Sequence, residues 1–288
     1  MAQPQNTYQL LDSGNFRKLE QLGPYLLDRP APQAIWRPSQ AAEVWAMADA
    51  LYHRSRSGGG DWEFKRKLPD SWPITYCGLT MKIKLTDFGH LGLFPEQGPN
   101  WPWIQKQIKR ASRPVNVLNT FAYTGGSSLA AAAAGAKVVH LDAAKGMIGW
   151  GRENAELSGL SDKPIRWLVD DVTKFMKREV RRGNHYEAII LDPPSFGRGP
   201  KGQVWKFEND LPSLLDLCRQ VLIKKPLFIL LSAHTSSFSP LALENLLADM
   251  MTGFKGRLNS HEMIIPQAGS KRSLPSGSLA SWIGDEEA

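Results

Sequence analysis

Apolar and polar positions along the chain change their period several times, and each change marks a different kind of structure. Residues 8–36 carry strand-length apolar pieces, Y-Q-L-L, L-G-P-Y-L-L-D and A-I-W, divided by D-S-G-N and R-P-A-P. Gly14-Asn15 and Gly23-Pro24 punctuate them, which predicts short strands with turns between. From Ala41 to His53 the period lengthens: Val44, Met47, Ala48 and Leu51 fall at helical spacing and predict a helix. Ser55 to Gly60 is a Gly-rich loop, and Trp72 to Leu85 returns to strict alternation in T-M-K-I-K-L. Phe88 to Trp103, F-G-H-L-G-L-F-P-E-Q-G-P-N-W-P-W, interrupts both periods with Gly and Pro and reads as a structured aromatic loop.

Beyond residue 112 strands and helices alternate. Apolar runs at Val115–Asn119, Lys137–Leu141, Ile165–Val169, Ala188–Leu191 and Leu227–Leu231 predict strands. Helical patterns lie between them at Ser127–Ala134, Ala144–Ser158, Val172–Arg182 and Leu211–Leu222, with Leu241–Met251 following. This spacing predicts an α/β fold: a parallel sheet flanked by helices. Residues 257–284 predict a terminal pair of strands, broken at Pro275 and Gly277. The expected organisation is a small β-rich accessory domain over 1–112 and a Rossmann-like domain over 113–288.

The strand ends carry the candidate chemistry, because in open α/β sheets ligands bind outside the carboxyl ends of the strands. Asn119 to Gly126 turns through Thr124, Gly125 and Gly126, which allow a backbone to approach a ligand, with Ser127 and Ser128 as candidate helix caps. Asp142 ends the second strand, where a carboxylate can accept from a ribose diol. Asp170 and Asp171 end the third; Asp171 is the favoured acceptor for an adenine amine, and a plain helix cap is its structural alternative. Asp192-Pro193-Pro194-Ser195-Phe196 follows the fourth. Its prolines stop the ladder and leave carbonyls without neighbouring N–H donors, Asp192 adds an acceptor, and Phe196 can stack on an extracted base.

Together, L-N-T-F-A-Y-T-G, H-L-D, D-D-V and D-P-P-S-F resemble the class I S-adenosylmethionine (SAM) methyltransferases, and within them the bacterial large-subunit rRNA enzymes that make 5-methylcytosine or 7-methylguanine. The resemblance covers Phe88 to about Ile283; the first 87 residues match loosely. It implies SAM as cofactor and RNA, by resemblance rRNA, as partner. It also implies a SAM site drawing on His90, Phe121, Tyr123, Thr124, Gly125, Asp142 and Asp171, and a catalytic loop of Asp192, Pro193, Pro194 and Phe196. His90 enters through F-G-H-L-G-L-F-P-E-Q, which is similar to the family segment that closes over SAM. One departure bears on the chemistry. The 5-methylcytosine members carry Ser-Cys-Ser after the fifth strand, where this chain has Ser232-Ala233-His234. A ring or exocyclic nitrogen is therefore the expected acceptor, with His234 a candidate to orient the base.

Composition adds little beyond this. The two cysteines, Cys77 and Cys218, fit a reducing cytoplasm and leave no cysteine-based zinc site. The net charge of +7 suits a polyanion. Lys174, Lys177, Arg178, Arg181 and Arg182 form one helix stripe that, with Arg198 and Lys201, can track phosphates. No apolar run is long enough to span a membrane. A nicotinamide-dependent oxidoreductase is disfavoured by the missing G-x-G-x-x-G. A non-catalytic RNA-binding protein on this fold is disfavoured by the intact Asp142, Asp171 and Asp192.

Overall fold

Strand-length segments near the start build a five-stranded sheet in chain order, seen in a computed structural model that describes residues 7–55, 59–198, 204–235 and 237–285. Strands β1 (Tyr8–Gly14), β2 (Arg17–Leu22) and β3 (Tyr25–Pro30) form an antiparallel meander. After α1 (Ala42–Ala46), β4 (Ala50–Arg54) pairs parallel with β3, and β5 (Gly60–Phe64) closes the edge. Strands β6 (Trp72–Tyr76) and β7 (Leu79–Ile83) make a separate hairpin. Its two turn residues, Cys77 and Gly78, have φ of 46° and 81°, the signs that the tight hairpin turn requires.

Two expectations for this region are corrected. The helix expected over Ala41–His53 stops at Ala46, because the next apolar residues alternate: Ala50 and Tyr52 are buried in β4, while Met47 is 70% exposed. The A-I-W run is not a strand. Its Ala34 and Trp36 carbonyls instead accept from Phe16 and Asn15 in the β1–β2 turn.

The chain divides into two compact units, residues 1–98 with 264–275, and residues 99–263 with 276–288. The boundary expected near residue 112 thus falls inside the second unit. That unit opens with α2 (Asn100–Arg110), so the end of the expected aromatic loop is helical. Pro102 is tolerated there because a proline in the first turn forfeits no helical hydrogen bond. Next come β8 (Asn116–Thr120), α3 (Gly126–Ala133), β9 (Lys137–Asp142), α4 (Lys145–Leu157), β10 (Ile165–Val169) and α5 (Val172–Arg182). They are followed by β11 (Ala188–Leu191), the ribbon β12 (Phe196–Arg198) and β13 (Val204–Lys206), α6 (Phe207–Gln220), β14 (Phe228–Ala233), α7 (Pro240–Met250), β15 (Gly256–Pro266) and β16 (Ser273–Gly284). Helix α6 starts ahead of the expected Leu211, since Phe207 continues the buried stripe of Leu211, Leu214, Leu215 and Cys218. Pro275 and Gly277 lie within β16 and do not break it. A Cβ at Gly277 would fall 2.6 Å from the Ala233 carbonyl, so glycine lets β16 pass close to β14.

The main sheet has the order β10-β9-β8-β11-β14-β16-β15, parallel through β14, with β16 antiparallel to it. Alternate strand residues serve opposite faces. Val117, Ile190 and Leu230 meet Ile104, Ile108 and Ala131 on one side; Leu118, Ile189 and Ile229 meet Phe175, Leu214 and Leu247 on the other. Chain order reverses between β8 and β11, which opens the crevice at their carboxyl ends. Among the described residues no helix is long and apolar enough to cross a membrane.

The first unit buries a charge cluster. Glu20 accepts from Tyr8 Oη at 2.8 Å and Arg29 Nε at 2.7 Å, with Lys18 Nζ at 3.0 Å. Burial raises the carboxyl pKa, but Arg29 and Lys18 outweigh it and bring it down to about 2. Breaking a buried pair strands the partner charge, so Glu20→Gln should lower stability by about 3–5 kcal/mol in urea unfolding. Because the folded pKa is depressed, the wild-type contribution is present above about pH 4.5 and is lost as pH falls toward about 2. A variant as stable as wild type at pH 7 would contradict this.

Candidate active site

The turn from β8 into α3 is strained where it faces the crevice. Phe121 and Tyr123 hold φ of 54° and 48°, values that non-glycine residues adopt at a cost of about 1–3 kcal/mol, and Gly125 holds 93°. Three bonds fix it. Tyr123 N–H donates to Asp142 Oδ2 at 2.9 Å, Ala122 N–H donates to the Leu141 carbonyl at 3.1 Å, and the buried Asn154 of α4 donates to the Thr124 carbonyl at 2.9 Å. Ser127 and Ser128 do not cap α3, whose cap position is Gly125 with no side-chain bond. Ser128 is buried instead, between Asn119 Nδ2 at 2.8 Å and His140 Nδ1 at 2.9 Å. Burial pushes the His140 imidazole pKa down to about 3, so this chain under the turn is neutral at physiological pH.

Asp142 is the hub of the crevice's first half. Its Oδ1 accepts Ala144 N–H at 2.8 Å while Oδ2 holds the turn. Burial raises the carboxyl above the ordinary aspartate value, and the N–H groups of Ala144, Tyr123 and Ala143 offset part of the rise. At the end of β10 the two acids divide. Asp171 Oδ1 caps α5 by accepting Lys174 N–H at 2.8 Å, whereas Asp170 accepts Asp171 N–H at 2.9 Å and pairs with Arg178.

The second half is the end of β11. Asp192 Oδ1 accepts Ser232 Oγ at 2.6 Å and lies 3.2 Å from His234 Nε2; His234 Nδ1 lies 3.1 Å from the Ser276 carbonyl. Both ring nitrogens therefore lie within hydrogen-bond distance of an acceptor oxygen. Ser232, near the end of β14, and His234, directly after it, are the outer residues of Ser232-Ala233-His234, and both contact the acid. The expectation of unoccupied proline carbonyls is corrected at Pro194, which accepts Trp205 Nε1 at 2.7 Å. Trp205 also meets the Phe121 ring at 5.2 Å, so one indole touches both the strained turn and the D-P-P loop. In the β12–β13 register Trp205 pairs with Gly197, which puts Phe196 on the other face of the ribbon, 52% exposed.

The structure thus gathers Phe121, Tyr123, Thr124, Gly125, Asp142, Asp171, Asp192, Pro193, Pro194 and Phe196 at the carboxyl ends of four neighbouring strands. His90 lies in the first unit, where its N–H and carbonyl bond Thr86 and its ring sits 5.8 Å from Phe94. Lys174, Lys177 and Arg181 are exposed along α5, while Arg178 and Arg182 pair with Asp170 and Glu179. Lys201 and the Arg198 side chain lie outside the described residues. Three contributors escaped the sequence reading: Asn154, the Ser128–His140 pair and Trp205. Of these only Trp205 left a signal, a lone aromatic in V-W-K shortly after D-P-P-S-F. Cys218 is buried in α6 with its thiol pKa pushed up by burial, and Cys77 belongs to the β6–β7 turn.

A model of the S-adenosylmethionine-dependent methyltransferase family matches residues 15–222. The match begins well ahead of Phe88, so the β-rich segment also carries the family pattern. The crystal structure of a SAM dependent methyltransferase from Agrobacterium tumefaciens is similar at 43% identity and a TM-score of 0.92, covering 96% of this chain and 90% of that one. The ribosomal RNA large subunit methyltransferase K/L of Hahella chejuensis is 33% identical over 147 residues, 50% of this chain and 19% of its own length. That of Ectopseudomonas mendocina is 32% identical over 189 residues, 62% and 24% respectively. The chain spans about a fifth to a quarter of the length of these curated relatives.

The turn's dependence on glycine is measurable. A Cβ at Gly126 would fall 2.3 Å from the ring of Trp101, which is itself buried in α2. Gly→Ala in a helix ordinarily stabilises by about 0.5–1 kcal/mol. Here overpacking should reverse the sign, and Gly126→Ala should lose about 1–3 kcal/mol in thermal unfolding of the second unit. A rise in Tm would show that Trp101 has room to move.

Proposed function

The chain belongs to the S-adenosylmethionine-dependent methyltransferase family, and from that premise we propose that it methylates a nitrogen of an RNA base, with ribosomal RNA the substrate. The observation that carries the nitrogen assignment is the end of β11 and β14: Asp192 braced by Ser232 and His234, with Ala233 between them and no thiol. Attack by cytosine C5 needs a thiolate to activate the ring. A ring nitrogen needs only its lone pair, and an exocyclic amine needs an acceptor for its proton. The ribosomal RNA large subunit methyltransferase K/L relatives support the substrate class, and a cytoplasmic setting follows from it.

The residues at the crevice fit the cofactor by their backbone conformation and their acceptors. A positive-φ glycine turn admits a ligand close to the backbone, and the partly buried Asp142 carries acceptor oxygens suited to a ribose diol. SAM, when bound, supplies a methyl group made electrophilic by the sulfonium. Asp142 would hold the ribose hydroxyls, the Phe121–Gly125 turn would lie along the cofactor, and Asp171 would accept from the adenine amine. Asp192 accepts an N–H from the target base and orients the attacking nitrogen. With an exocyclic amine it would also take the proton lost on methylation, with Ser232 and His234 holding the carboxyl in place. Phe196, exposed on the ribbon, stacks on the extracted base, a contact worth roughly 1–3 kcal/mol. Pro193 and Pro194 keep the loop rigid.

Two variants test this division of labour. Asp142→Ala should weaken SAM binding in calorimetry by about 1.5–3 kcal/mol, about 10- to 150-fold. Asp142→Asn, which keeps one acceptor for the turn, should fall between. Because the Asp142 pKa is raised, wild-type affinity should also drop on acidification from above about pH 4, the ordinary aspartate range. Unchanged affinity in Asp142→Ala would remove the acid from the cofactor site. Asp192→Asn should lower single-turnover methyl transfer to ribosomal RNA by about 10²-fold or more while leaving SAM affinity unchanged. Full transfer by this variant would make Asp192 structural, and a covalent adduct with 5-fluorocytosine RNA would overturn the nitrogen assignment.

A further inference from the structure

At the end of the sheet opposite the crevice, a cavity of about 830 Å³ opens in the second unit. Four separate segments frame it: the residues after α2, the approach to β14, the turn after α7 and the end of β16. They bring together Arg110, Arg113, Lys224, Lys225 and Lys255, and among the described residues lining it Asp285 is the only carboxylate. Cations gathered around one cavity attract a polyanion. The segments are held in place. Arg113 donates to the Lys225 carbonyl, Arg110 donates to Gln107 at 2.9 Å, and Asp285 N–H donates to the Lys255 carbonyl at 3.3 Å.

The wall also offers an aromatic. Phe254 is half-buried, with its ring 5.0 Å below the Arg219 guanidinium and edge-on to Trp282 at 6.3 Å. Arg219 donates to the Met250 and Thr252 carbonyls, which fixes the turn carrying Phe254. Cations that follow a backbone beside a preset aromatic are the combination by which proteins hold single-stranded nucleic acid. Free phosphate would use the cations and leave the aromatic idle.

We propose that this groove is a second RNA-binding site, gripping the phosphodiester backbone of an unpaired segment and stacking one base on Phe254. It rests on the RNA reading of the crevice. The strands between are four to six residues long, so the two sites stand roughly 13–20 Å apart along the sheet. An RNA reaching both must wrap the domain, which adds affinity without touching the reacting base.

The test uses the full chain and fluorescein-labelled oligouridine. In Lys224→Ala/Lys225→Ala/Lys255→Ala three exposed ammonium groups are lost, each worth a slope of about 0.7 in log K against log salt. The salt slope should flatten by about 2, and affinity near 0.1 M salt should fall on the order of 10- to 100-fold. Calorimetric SAM affinity should stay at the wild-type value, showing that the fold and crevice are intact. Phe254→Leu should weaken oligouridine binding without changing the slope. A triple variant with the wild-type slope and affinity, in a protein that still methylates RNA, would overturn the groove alone. Wild type that neither binds oligouridine nor methylates RNA would overturn the crevice reading and the groove with it. Displacement of oligouridine by equimolar inorganic pyrophosphate would reassign the cavity to a small phosphorylated ligand and sink the proposal.

Discussion

The hydrogen bond from Tyr123 N–H to Asp142 is the constraint on which the crevice depends. It joins the end of β8 to the end of β9 and holds two non-glycine residues in left-handed conformations that the chain would otherwise leave. Asn154 secures the same turn from α4, and the buried Ser128–His140 pair supports it from below. Each support comes from a different element, so the turn is shaped by the assembled sheet and not by its own sequence. Strain over-determined in this way gives a preformed site, because the ordering has been completed before any ligand arrives.

How much of this was legible follows from range. The α/β alternation, the strand-ending acids and the D-P-P loop were readable because strand period, turn residues and side chains lie together in sequence. Helix α5 was placed at its observed ends, since its apolar stripe, cap and Gly183 terminus are all local. Helix α2 was hidden because Pro99 and Pro102 read as loop, although a first-turn proline is compatible with a helix. The β12–β13 ribbon has three residues per strand, too few for alternation to show. Asn154 and Trp205 act on residues 30 and 11 positions away, and Ser128 on one 12 away. No periodicity encodes such pairs.

The same logic explains the acids. Asp142, Asp171 and Asp192 were visible as carboxylates at strand ends, but their tasks differ through partners that only the fold supplies. Asp142 receives backbone donors, Asp171 a helix terminus, and Asp192 a hydroxyl and an imidazole. A motif states where a charge stands, whereas the neighbouring dipoles decide what it can still bind.

Trp205 deserves a last consequence. Its indole leans on Phe121, in the turn proposed to take the cofactor, and bonds Pro194, in the loop proposed to face the base. A shift in either loop must be felt by the other through this ring. Linkage then makes the effect reciprocal: whatever factor the cofactor contributes to capture of the proposed RNA substrate, that substrate would return to the cofactor. The order in which the two arrive would then change the route but not the affinity of the ternary complex.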